Sequence, residues 1–176
     1  MGSLVEIING ISSQRSRMTS GGDSGADLIT ATKVGGLSLA YSYLSDAEAY
    51  LAAARRLDEG GSQFSPKYFL LCHAIELALK AYILAKGGTE GDIKKIRHDL
   101  VAALSRAIDC GFQPANAKLR EVIQRVASPH ADYSFRYGGR WTHILPRAEV
   151  FDAAVSGLIK DVSSTVIDNS TILRIT

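Results

Sequence analysis

Three ionisable residues lie on one stripe of an otherwise apolar segment. His73, Glu76 and Lys80 are spaced so that they share one face of a helix, while the residues around them are mainly Leu, Ile and Ala. Buried charges are costly unless they are paired, so this stripe requires an explanation. It predicts either a polar site between helices, completed by His98 and Asp99, or a structural network that sets helix register.

His98 and Asp99 lie where a further helix is expected to begin, so capping of the exposed amides is the simpler interpretation of this pair. Zinc ligands in proteins usually follow recognisable spacings, which these residues lack. The two cysteines, Cys72 and Cys110, also lack a metal-ligand spacing. The sequence therefore predicts no metal site and no cofactor.

A second group of chemically capable residues lies in a long connection, residues 128–145, where arginines alternate with aromatic residues. Aromatic faces can stack on bases, and arginines can bind phosphates. We expect a binding surface for single-stranded RNA or a nucleotide. Packing of the same aromatic rings on the end of the fold is an equally open alternative. The candidate binding residues are Arg136, Tyr137, Arg140 and Trp141.

The elements that position these residues are predicted to be helices. From Leu37 onward, apolar residues recur at three- and four-residue steps, and glycines and prolines mark the helix ends. No alternating strand pattern is evident, so we expect an all-α, up-and-down bundle of four to five helices. The helix that begins near Pro66 is apolar on all sides and should be central. Its predicted core residues are Phe69, Leu70, Ile75, Leu77, Leu79, Ile83 and Leu84.

Length and composition indicate the number of domains, the general affinity for nucleic acid and the location of the protein. A length of 176 residues with 46% hydrophobic content suits one globular domain, and a net charge of +2 gives little general attraction to nucleic acid. Residues 1–36 include a Ser-, Gly- and Thr-rich stretch and predict a flexible arm, with the bundle over residues 37–176. Charged residues interrupt the longest apolar stretch, and a secretory signal pattern is absent. We therefore expect a cytoplasmic protein without a membrane span.

Three segments resemble the HEPN superfamily: FLLCHAIELALKAYILAKGG at residues 69–88, HDL at residues 98–100, and the pair Arg136-Tyr137. The resemblance covers roughly residues 40–165 and implies a small, commonly dimeric helical bundle. Many HEPN proteins are metal-independent ribonucleases of toxin–antitoxin and defence systems, often with a nucleotidyltransferase partner. Others are non-catalytic modules that bind RNA or nucleotides. The resemblance thus implies a homodimer and a nucleotidyltransferase antitoxin as a candidate partner.

The ribonuclease motif of the family places a histidine a few residues after an arginine. Two pairs match this spacing, Arg125 with His130 and Arg136 with His143, and they are the candidate catalytic residues of a metal-independent endoribonuclease acting as a dimer. Pro129 interrupts the first pair and disfavours the helix that would hold it in register. We therefore expect a non-catalytic or partner-dependent module that binds RNA, nucleotide or protein. A ribonuclease and a purely structural bundle remain open as alternatives.

Overall fold

The computed structural model describes residues 24–58, 64–137 and 144–172, with side chains from residue 35 to residue 169 within these ranges. The described residues contain no strand, and five of their helices exceed two turns, which confirms the predicted all-α bundle. The helices are α1 (Ser24–Arg55), α2 (Phe64–Ala85), α3 (Glu90–Ile96), α4 (Leu100–Asp109), α5 (Leu119–Ala131), α6 (Ser134–Tyr137) and α7 (Ala148–Ile172).

The helix α2 is the centre of the bundle, since it packs against α3, α4, α5, α6 and α7. Five of its seven predicted core residues are buried: Ile75, Leu77, Leu79, Ile83 and Leu84. The prediction was wrong for Phe69 and Leu70, which are only partly buried. Phe69 lies near the start of α2 and packs against the edge of the core, and the guanidinium of exposed Arg136 lies over its ring.

By length and composition alone, α2 could also cross a membrane. In the fold, however, 78% of its apolar window is buried. Burial of this extent is typical of a core helix in a globular domain, which is apolar on all sides because neighbouring helices surround it.

Two helices differ from their predicted bounds. The first, α1, begins at Ser24 rather than near Leu37, so residues 24–36 are helical, and the rest of the predicted flexible arm lies outside the described residues. The second, α3, is a short helix in a polar stretch between two apolar segments, where apolar periodicity alone does not predict one. A reciprocal capping box starts it, in which Thr89 accepts from the backbone amide of Asp92 and the Asp92 carboxylate accepts from the Thr89 amide.

The connection predicted over residues 128–145 is partly helical. Pro129 lies inside α5, which continues to Ala131, so the expectation that proline excludes a helix here was wrong. Proline removes one backbone hydrogen bond, but the loss falls in the last turn of α5, where both Pro129 and His130 are buried. The single turn α6 follows almost at once.

The last helix, α7, contributes Phe151 and Leu158 to the core, where neither side chain is accessible to solvent. Arg55 at the end of α1 ties the two helices together, since its guanidinium donates to both carboxylate oxygens of Asp152 at 2.7 Å. Thr32–Thr176 form one compact unit and Met1–Ala31 another, and every contact described here lies within the former.

Candidate functional site

The carboxylate of Glu76, only 2% exposed, is the centre of a polar cluster in the bundle. Lys80 Nζ donates to Oε1 at 2.6 Å, and His98 Nδ1 lies 3.1 Å from the same oxygen and 3.2 Å from Oε2. His130 Nε2 lies 3.1 Å from Oε2, and His73 Nδ1 lies 3.8 Å from it. We call these five residues the Glu76 cluster.

Three parts of the chain supply the Glu76 cluster. Helix α2 provides His73, Glu76 and Lys80, whose spacing places them on one face. The turn between α3 and α4 provides His98, and the last turn of α5 provides His130. The sequence therefore predicted the stripe on α2 and the approach of His98, whereas His130 was considered only as a catalytic residue.

The turn that carries His98 has an unusual backbone. Arg97 has a φ of 55°, a left-handed conformation that non-glycine residues adopt at a cost of about 1–3 kcal/mol. Its carbonyl accepts a hydrogen bond of 2.7 Å from Lys80 Nζ, which helps to hold the turn against α2. Lys80 thus binds both the carboxylate and the turn that presents His98 to it.

Asp99 has a different role from His98, the residue before it. Its carboxylate accepts hydrogen bonds of 2.9 Å from the backbone amides of Val101 and Ala102, so it caps α4. The structure thus places Asp99 at the helix terminus and His98 at the Glu76 carboxylate. Capping was the simpler of the two interpretations of this pair.

The Glu76 carboxyl is held in its ionised form. Burial by itself would raise its pKa, but hydrogen bonds from His130 and Lys80 outweigh burial and hold the pKa far below the usual range for glutamate. Cys72 lies on the same helix, and burial together with the negative charge of Glu76 raises the pKa of its thiol well above the ordinary value. Cys72 is therefore a neutral core residue.

Two imidazole nitrogens of the cluster are buried without a hydrogen-bond partner among the described residues, Nδ1 of His73 and Nδ1 of His130. Aromatic rings enclose His73: Phe69 stacks on it with centroids 5.7 Å apart, and Tyr50 meets it edge-on at 4.5 Å. Buried polar atoms in native proteins are usually satisfied, so these two nitrogens are positions at which a water or ligand could bind.

The structure describes both members of only one candidate catalytic pair, Arg125 with His130. Arg125 donates to Glu121 at 3.0 Å and to the carbonyl of Ile144 at 3.4 Å, while His130 is buried against Glu76. The two side chains therefore make separate contacts within the protomer. Of the second pair, His143 lies outside the described residues.

An arginine and two tyrosines form an exposed surface at α6. The Arg136 guanidinium lies 4.8 Å from the ring centre of Phe69 and 4.9 Å from that of Tyr133. Tyr137, which is 83% exposed, meets Tyr133 edge-on. We call Tyr133, Arg136 and Tyr137 the α6 surface. The other two candidate binding residues, Arg140 and Trp141, lie outside the described residues.

Comparison with known proteins agrees with this architecture. The family model of the HEPN domain matches residues 40–156, a span that runs from α1 into α7 and includes the Glu76 cluster and the α6 surface. Neither the curated proteins nor the solved structures contain a significant match. Because the matched span covers well over half of the sequence, the chain belongs to the HEPN domain family.

Proposed function

We propose that this chain is a non-catalytic or partner-dependent HEPN module. Through the α6 surface it binds single-stranded RNA or a nucleotide, each of which offers a base for stacking and a phosphate for arginine. Its family associates it with nucleotide- and RNA-related functions. The net charge of +2 offers little general attraction to RNA, so binding has to come from a local surface.

The observation that carries the proposal is the environment of Arg136. Its guanidinium is held between two aromatic rings, and no carboxylate among the described residues forms an ion pair with it. Stacking of this kind orients the guanidinium plane while its N–H groups remain available to a phosphate. Tyr137 exposes its ring next to this arginine and can stack on a base.

The position of His130 favours binding over cleavage. A histidine that moves protons during RNA cleavage has to reach the reacting ribose oxygen. His130 is 2% exposed, and its Nε2 faces Glu76. The ribonuclease alternative therefore rests on Arg136 with His143, or on a rearrangement around α5.

The proposal is tested by fluorescence anisotropy with a labelled single-stranded RNA. We expect Arg136→Ala and Tyr137→Ala each to weaken binding by roughly fivefold to 150-fold, the effect of losing about 1–3 kcal/mol of stacking or phosphate contact. Arg136→Ala should also reduce the salt dependence of binding. Arg120→Ala is the matched control, since Arg120 is an exposed arginine near the other end of α5. Equal affinities of all three variants and the wild type would reject the α6 surface.

The enzyme alternative has its own test. Family resemblance implies cleavage without metal, so an active protein should cut single-stranded RNA in EDTA, and His130→Ala or His143→Ala should abolish the cutting. We expect the isolated protein to leave the RNA intact. EDTA-resistant cleavage that is lost in either variant would establish the ribonuclease instead.

We further propose that the module works in the prokaryotic cytoplasm in a toxin–antitoxin or defence setting, as a homodimer with a nucleotidyltransferase as candidate partner. HEPN domains commonly dimerise or act with nucleotides, which supports this proposal. Co-purification of a nucleotidyltransferase encoded next to this chain would test the pairing, and independent migration of the two proteins would reject it.

A further inference from the structure

The Glu76 cluster brings together ligand atoms of the kind that bind transition metals. One carboxylate oxygen of Glu76, one nitrogen of His98 and one nitrogen of His130 all lie within 4.8 Å of one another. We propose that these three residues form a binding site for a divalent metal ion of the zinc type. The proposal does not rest on RNA binding, because it concerns the interior of the bundle and not the α6 surface.

The distances around Oε2 of Glu76 are close to those of a tetrahedral site. Zinc bonds of about 2.0–2.1 Å separate neighbouring ligand atoms by roughly 3.3 Å. His130 Nε2 lies 3.1 Å from this oxygen, and His98 Nδ1 lies 3.2 Å from it. The ligand nitrogens of the two histidines lie within 4.8 Å of each other. The His98 side chain is 42% exposed, so its ring can rotate to adjust these separations.

The unused nitrogen of His73 supports a ligand at this position. His73 Nδ1 is buried without a hydrogen bond among the described residues and lies 3.8 Å from the same Oε2. Hydrogen bonds among the cluster residues leave this atom unsatisfied. A metal ion near Oε2 would give it a partner, either directly or through a metal-bound water.

The ligand chemistry selects the class of metal. Two imidazoles and one carboxylate suit zinc and its neighbours in the first transition series, whereas magnesium and calcium prefer oxygen ligands. Such a set leaves a fourth position for His73 or water, and the half-exposed His98 lies on the path from solvent.

Lys80 sets a limit on the affinity. Its ammonium binds Oε1, so Oε2 remains for the metal. Its positive charge nevertheless repels a metal ion bound nearby. We therefore expect weaker metal binding than at a site with the same ligands and no neighbouring lysine.

The test uses the full chain, freed of metal with a chelator and titrated with Co²⁺ and then Zn²⁺. We expect one equivalent of Co²⁺ to produce the visible absorption of a tetrahedral cobalt site, and Zn²⁺ to displace it. His98→Ala and Glu76→Gln should each weaken binding at least tenfold. Glu121→Gln, which alters an exposed carboxylate elsewhere on the surface, should bind as the wild type does.

A second measurement keeps the test decisive if a variant fails to fold. In ¹⁵N NMR spectra of the wild-type histidines, Zn²⁺ should shift Nδ1 of His98 and Nε2 of His130, the nitrogens that face Glu76. Absence of one-equivalent binding would overturn the proposal. Unchanged affinity in folded His98→Ala, or shifts at the opposite nitrogens, would also overturn it, because each would place the metal elsewhere.

Discussion

At the scale of single residues, Glu76 shows how a buried charge can be tolerated. Its carboxylate is removed from water but receives one ammonium and two imidazoles within 3.2 Å. Such a group contributes little net stability compared with an apolar side chain, yet removal of one member leaves the others buried and unpaired. The cluster therefore ties α2, α5 and the turn before α4 to one arrangement.

Replacement of Glu76 by alanine is expected to destabilise the protein by about 3–5 kcal/mol, because Lys80 and His130 would lose their buried partner. Urea unfolding monitored by circular dichroism measures the change. Glu48→Ala is the control and should change stability by less than about 0.5 kcal/mol, since Glu48 is an exposed residue within α1. Equal midpoints for Glu76→Ala and wild type would show that the cluster does not support the fold.

The ionised carboxylate of Glu76 predicts that the stability of the protein depends on pH. The folded pKa of Glu76 lies below its unfolded value, so as the pH falls the unfolded chain takes up the proton first. The stability from the ionised carboxylate is present above the ordinary glutamate pKa of about 4.3 and is lost as the pH falls towards the folded value. Measured in EDTA, the stability difference between wild type and Glu76→Gln should therefore shrink from neutral pH to about pH 3. A difference that stays constant with pH would contradict the assigned charge.

At the scale of elements, the start of α4 depends on Asp99, the capping residue that precedes the helix. Asp99 satisfies two amides at the N-terminus of the helix and directly follows His98, so the cap also fixes the end of the turn that presents the imidazole. A local backbone feature thus positions a residue of the Glu76 cluster.

Asp99→Ala is expected to cost about 1 kcal/mol, as loss of a capping side chain usually does, and Asp99→Asn should cost less because asparagine also caps. Chemical denaturation of both variants tests this order. Asp109→Ala is a control on the same helix, where the exposed carboxylate lies at the C-terminal end and its removal is neutral or slightly stabilising. Similar losses of stability in Asp99→Ala and Asp109→Ala would mean that the effect of Asp99→Ala does not come from the loss of a cap.

At the scale of the whole molecule, the core is built inside one protomer. Tyr43 and Tyr50 on α1 and Phe151 and Leu158 on α7 are apolar or aromatic residues of the kind that a dimer interface uses. Phe151 and Leu158 are fully buried within the chain, and the two tyrosines pack partly against its core. Phe151 and Leu158 are therefore not available to a second copy of the chain.

Dimerisation itself remains a prediction for this chain. HEPN domains commonly dimerise, and the described surface retains exposed apolar side chains such as Val101, Ile144 and Val150, which a second copy could cover. Sedimentation velocity at micromolar concentration should show a dimer. A single monomeric species over that range would reject the prediction.

The sequence by itself determined the all-α class, the main helices and the central position of α2, because apolar periodicity and helix-end signals act over a few neighbouring residues. It also placed three members of the Glu76 cluster on one helix face. The capping box of α3 is also a local signal, since Thr89 and Asp92 lie three residues apart in the sequence.

Only the tertiary structure decided which partners reach Glu76. For His98, 22 residues from Glu76, the sequence left two interpretations open, and no pattern of spacing relates His130, 54 residues away, to Glu76. Pro129 argued against a helix at His130, yet packing in the last turn of α5 buries both residues and directs the imidazole inward. Side chains so far apart in sequence meet because α2 and α5 bury their apolar faces in one closely packed core. That packing depends on the side chains of all the helices together.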